Sequence, residues 1–144
     1  MKSFTLDMQS KYMRIPFKEH GRGFDGCDCG GLLILIYRNE LGIELPDLAH
    51  LYQTTQIESW EDVKETISRG VREYPSFVEV PKGEAIQPFD VIVFNIASHP
   101  IHIGIVVNDR MFIHILEGYT NVRQERIHSA NWIKRIEGIY RYVR

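Results

Sequence analysis

Residues 24–42 read FDGCDCGGLLILIYRNELG: two cysteines flank one aspartate, two glycines follow, and then an apolar run. Gly30 to Leu41 has the length of a helix, and Gly42 beyond it is the usual glycine stop. Leu32, Leu33, Leu35, Ile36 and Leu41 make that helix apolar nearly all round, which predicts a central, buried element. Cys29 stands where the loop gives way to the helix. Its sulfur is expected to face unpaired N–H groups and the positive end of the helix dipole, a setting that favours thiolate and lowers a thiol from about 8.5 to roughly 3.5–7.5. Cys27 sits in the loop and gains less. Gly30 and Gly31 are expected to keep side chains off the sulfur, leaving room for a carbonyl and backbone donors for an oxyanion. Asp28 reads as the N-cap or a loop brace. The ordinary role of a free cysteine is that of a small buried hydrophobe, so catalysis needs a partner.

Outward from this stretch, Lys11 and Tyr12 fall in a short first helix. SWEDVKETISRG, residues 59–70, reads as a third, with Ser59 as N-cap, Asp62 three residues on, and Trp60, Val63 and Ile67 on one stripe. From Pro75 onward the pattern turns to strands. PFDVIVFNI, IHIGIVV, MFIHILEG, NVRQERI and IEGIYRYVR are short, rich in β-branched and aromatic residues, and parted by turn residues such as NDR and GYT. Helices first and about five antiparallel strands afterwards predict an α+β fold with the helices on one side of the sheet. The 144 residues carry neither repeat nor long linker, and a single domain over residues 1–144 is expected.

The partner for Cys29 comes from residues 97–118, ASHPIHIGIVVNDRMFIHILEG. A three-residue loop at Asn108–Arg110 pairs Val107 with Met111 and sets Gly104 opposite His114. That puts His102 and His114 on one sheet face, about 7–8 Å apart between Cα atoms. A two-residue loop would put them on opposite faces. In the first register Ile103, Ile105 and Val107 point into a core, and Gly104 removes the side chain between the two imidazoles. His20, His50 and His128 lie in polar, loop-like surroundings and read as solvated, while His99, before Pro100, reads as a rim residue. His102 or His114 alone would be a structural histidine; together, with a cysteine at a helix start, they favour catalysis.

Other classes fit less well. A net charge of −2, from 17 basic and 19 acidic residues without a basic stripe, argues against nucleic acid. MKSFTLDMQSKYM lacks the apolar core of a secretory signal and LLILIY is too short to span a bilayer, so synthesis in the cytoplasm without membrane insertion is the expectation. Cys27, Cys29, His102 and His114 would make a four-ligand zinc set, but one residue between cysteines is not the usual spacing, and no metal is expected. A disulfide closing so short a loop would also be strained.

GCDCGGL followed by YRNELGIELP, then HIGIVV and FIHILEG, resembles the NlpC-type cell-wall peptidases, from about Ile15 to the last strand. The Asp28-to-Leu32 core, GIELP after the helix, and the twelve residues from His102 to His114 carry the likeness. It implies a reduced papain-like fold, no cofactor, and hydrolysis of peptidoglycan stem-peptide amides, commonly between D-γ-glutamate and a diamino acid. It also implies Cys29 as nucleophile, His102 as general base and His114 as the orienting group. IPFKEHGRGFDGCDCGGL looks most like the branch found in tail-tip proteins of long-tailed phages, which implies other tail-tip proteins as partners and a place in a virion tail. Two positions depart from the pattern. Phe17 stands where many relatives have a tyrosine lining the oxyanion site, and Gly30 where they often have serine. Arg22 or backbone donors would hold an anionic substrate group, with His99 at the rim. A tail-tip structural subunit of little activity, or a thiol acyltransferase or amidase, remains an alternative.

Overall fold

The structure is a computed structural model that describes residues 2–46, 76–96 and 99–143, with the backbone course alone for residues 99–101. The helix expected over residues 59–70 and His50 lie outside the described residues.

Helix α1, Leu6–Tyr12, starts at Thr5, whose hydroxyl accepts the Met8 N–H at 3.2 Å. Its last residue, Tyr12, is buried and donates its hydroxyl to Glu40, which Lys11 also reaches at 2.6 Å. These contacts tie α1 to the far end of the central helix. A small hairpin follows, β1 (Arg22–Gly23) and β2 (Gly26–Cys27), with Arg22 opposite Cys27.

Helix α2, Cys29–Ile36, is capped by Asp28, whose Oδ1 accepts the Gly31 N–H at 2.8 Å. Every residue from Gly30 to Ile36 is buried. Two glycines in the first turn cost about 1 kcal/mol each relative to alanine. Burying five large aliphatic side chains, at about 1.5–3 kcal/mol each, outweighs that cost several-fold. The helix widens into a π-turn over Tyr37–Leu41 and ends at Gly42, which takes the left-handed conformation at φ 67°.

Gly31 has a different purpose from the one its sequence suggests. A Cβ there would stand 2.0 Å from the Gly21 carbonyl oxygen, because the chain entering β1 crosses the first turn of α2 at backbone contact. The missing side chain serves helix-to-hairpin packing rather than substrate room.

The main sheet has six strands, in the order β3-β8-β4-β5-β6-β7, all neighbours antiparallel. They are β3 (Phe77–Glu79), β4 (Val91–Ile96), β5 (His99–Val106), β6 (Met111–His114), β7 (Arg123–Arg126) and β8 (Ile136–Tyr142). Five match the expected strands; the sixth, β3, has three residues, too few to show an alternating pattern. One sheet face, through Val91, Val93, Ile103, Ile105, Ile113 and Ile115, joins α2 in the main core. The opposite face, through Ile92, Phe94, Val106 and Phe112, packs with Ile127 and Trp132. The fold is α+β and papain-like, with the described α-helices preceding the main sheet.

Candidate active site

The site forms where α2 begins and where β5 and β6 end their pairing. The β5–β6 connection is the three-residue one: the Val107 N–H reaches the Met111 carbonyl at 2.9 Å, and Asn108 Oδ1 accepts the N–H groups of Arg110 and Met111, both at 2.9 Å. The ladder then pairs Val106 with Phe112 and Ile105 with Ile113. The Val107 N–H faces β6, so the alternation of the strand turns the N–H groups of Ile105 and then Ile103 toward the same side. The Ile103 N–H lies near enough to the sulfur of Cys29 to favour negative charge on it. The thiol at the start of α2 therefore lies beside the peptide that joins His102 to Ile103.

The two imidazoles meet across this opening, His102 Nε2 to His114 Nδ1 at 2.7 Å. Both are buried. This is the face predicted for a three-residue turn. The space over Gly104 is filled differently: a Cβ there would meet Phe112 at 2.7 Å and Phe94 at 3.1 Å, so these rings, rather than the imidazoles, require the glycine. Phe94 stacks on His102 at 5.7 Å between centroids, Phe112 lies 4.7 Å from His114, and Trp132 stands edge-on to His114 at 4.8 Å. The histidine pair sits in an aromatic box that limits ring rotation and keeps water off one side.

Sequence reasoning passed over Glu125 and Trp132. Glu125, on β7 opposite Phe112, shares the face of His114 and is hydrogen-bonded to its Nε2. The Tyr119 hydroxyl donates to the same carboxylate oxygen over a long 3.4 Å. Burial works against the Glu125 charge, but the bond from His114 and neighbouring donors outweighs it and holds the carboxyl below its usual range. Burial pushes His114 below its ordinary value, against the pull of Glu125.

The thiol departs from expectation. Burial pushes Cys29 up to about 12, and the Asp28 carboxylate adds to the shift. The N–H groups of Ile103 and Gly30 and the Arg22 guanidinium pull the other way without cancelling it. Burial thus opposes the helix start at this half-buried sulfur, and positive charge on a nearby imidazole would favour the thiolate.

Asp28 braces the loop. Besides capping α2, it accepts the His20 N–H at 3.0 Å and Arg22 Nη1 at 2.8 Å. Arg22 Nη1 also reaches the Gly21 carbonyl at 2.8 Å, so this guanidinium edge holds the hairpin to the helix. Phe17 forms a backbone bridge with Cys27 and packs partly buried against the main core. Cys27 lies fully within that core. His20 and His128 are exposed, and His99 begins β5 opposite Ile96. Among the described residues no three His, Cys, Asp or Glu side chains cluster closely enough to hold a metal ion.

Comparison with known proteins gives the family and the fold. Residues 14–141 match the model of the NlpC/P60 family, and the chain belongs to that family. Among solved structures it is similar to an NlpC/P60 family protein from Bacillus cereus, with 20% identity and a TM-score of 0.67 over 96% of this chain and 39% of that one. A lipoprotein-like NLP/P60 protein from Staphylococcus aureus matches at 22% identity and a TM-score of 0.64, over 96% of this chain and 40% of that one. The NlpC/p60 domain of the peptidoglycan hydrolase SagA matches at 14% identity and a TM-score of 0.57, over 92% of this chain and 91% of that domain. The chain thus spans about 40% of the length of the first two structures. No curated protein matches the chain at a significant level.

Proposed function

We propose that the protein is a peptidoglycan endopeptidase that cleaves stem-peptide amides, between D-γ-glutamate and the following diamino acid, with Cys29 as nucleophile. The observation that carries this reading is the Cys29 sulfur beside the Ile103 N–H, one residue along β5 from His102, which is itself linked to His114. As the sulfur bonds to the amide carbonyl carbon, the thiol proton passes to His102 Nδ1, the ring nitrogen not bound to His114. Collapse breaks the C–N bond, and His102 gives that proton to the departing amine. Water then adds to the thioester, losing a proton to His102; the C–S bond breaks and the proton returns to sulfur. Because the thiol is pushed up in isolation, His102 must accept its proton as the C–S bond forms.

The likeness of residues 15–32 to the tail-tip branch supports a place for the protein in a phage or phage-like tail, opening the wall locally during DNA entry, with other tail-tip proteins as partners. A second reading, a tail-tip subunit with this fold and weak activity, is favoured by Phe17, which brings no hydroxyl to the oxyanion site. Losing one such donor costs about 3–4 kcal/mol unless a backbone N–H substitutes. The test is to digest purified peptidoglycan and defined stem peptides and identify the products by mass spectrometry. Fragments split after D-γ-glutamate support the endopeptidase; intact stems with retained binding to tail proteins support the second reading.

A further inference from the structure

The contact between His114 and Glu125 reaches beyond the three residues of the proposed relay. Ionised carboxylates only accept hydrogen bonds, so the bond to Glu125 places the proton of His114 on Nε2. A neutral imidazole carries one N–H, which leaves His114 Nδ1 as a lone pair. The 2.7 Å contact between that atom and His102 Nε2 needs one proton, and only His102 can supply it. His102 is then protonated on Nε2 and bare on Nδ1, the state in which it can take a proton from a thiol. Were His114 a cation, both its nitrogens would donate, His102 would have to accept on Nε2, and its Nδ1 would already hold the proton. Burial of His114 favours the neutral ring, consistent with the first arrangement.

We infer that Glu125 is a positioning residue that sets the tautomers of both histidines, making His102 Nδ1 the basic atom of the site. This inference rests on the hydrolytic reading of Cys29, His102 and His114 for its kinetic consequence, but not for its structural one. The groups around the carboxylate fit the role: Arg123 lies opposite His114 on the β6–β7 ladder and stacks over Tyr119 at 3.7 Å, while Tyr119 donates to Glu125. Trp132 closes the box over His114, with Arg135 beyond its ring. Glu125 bonds to the pair through His114 Nε2. A merely structural Glu125 would hold β7 without governing which nitrogen of His102 is protonated.

The experiment is long-range proton–nitrogen NMR of protein labelled with 15N-histidine, read beside steady-state kinetics on a stem peptide. The wild type is expected to show the Nε2–H form at both His102 and His114. Glu125→Ala is expected to populate the Nδ1–H form of His114 and to lower kcat about tenfold or more, with KM changed less than about twofold. Glu125→Gln keeps an acceptor oxygen of the same reach, so it is expected to keep both tautomers and recover part of the lost kcat. An Nδ1–H form at either ring of the wild type would overturn the inference, as would Glu125→Ala spectra identical to wild type. If both rings show the Nε2–H form but no stem peptide is cleaved, the hydrolytic reading fails and the tautomer assignment stands.

Discussion

His102 Nε2 and His114 Nδ1 face each other at 2.7 Å from neighbouring strands, and a three-residue turn between those strands makes that meeting possible. One residue fewer at Asn108–Arg110 would turn one imidazole to the opposite face. His114→Ala should therefore remove the orienting partner of His102 while leaving Cys29 at the start of α2 in place. We expect kcat to fall by about a hundredfold or more with KM within about twofold, since proton transfer by a positioned base contributes about 10²–10⁴. Equal losses in binding and turnover would instead indicate a collapsed site.

The raised Cys29 thiol yields a second prediction. In a Cys27→Ala background, Cys29 is the only cysteine. His102→Ala should then leave a thiol that alkylates more slowly than a free cysteine at pH 7 and ionises toward about 12, following the burial and the Asp28 charge around it. With His102 present the rate at neutral pH should be higher, because the imidazole accepts the proton. Rates of iodoacetamide labelling against pH check this. A low-pH plateau that survives His102→Ala would show that the helix start suffices.

Stability should depend on pH through His114. Its folded value lies below its ordinary 6.5, so below that pH the unfolded chain binds a proton that the folded chain refuses. Stability is lost as pH falls from 6.5 toward the folded value, by at most about 1.4 kcal/mol per unit from this residue. Glu125, depressed from 4.5, adds a further loss below that pH, as its contribution fades toward its folded value. Urea midpoints between pH 7.5 and 5 should fall in the wild type and fall less in His114→Gln. An equal slope in both would assign the dependence elsewhere.

Asp28 anchors the start of α2 by three bonds at once, to the N–H groups of Gly31 and His20 and to Arg22. Asp28→Ala should destabilise the protein by about 3 kcal/mol, combining a lost cap with a stranded, partly buried guanidinium. Arg22→Ala should cost only about 1–2 kcal/mol, because the carboxylate keeps its two backbone donors. Denaturant unfolding of the two variants gives the order directly; a larger loss at Arg22 would contradict this account.

The central helix, five sheet strands and the shared face of the two histidines were legible in the sequence, because each rests on local periodicity, a glycine stop or a turn of defined length. What was hidden depends on distant parts of the chain. Glu125 reaches His114 only through the β6–β7 register, set across residues 115–122, where no short turn fixes the count. Gly31 looked like space beside a nucleophile, but the carbonyl of Gly21 fills that space. At the thiol, the dipole is visible in the sequence while the burial that opposes it is not.

The most direct measurement is the rate of stem-peptide cleavage by wild type, Cys29→Ala and Cys27→Ala under identical conditions. The account predicts cleavage by the wild type, none above background for Cys29→Ala, and a rate near wild type for Cys27→Ala, whose sulfur lies within the core. Cleavage that persists in Cys29→Ala would contradict it.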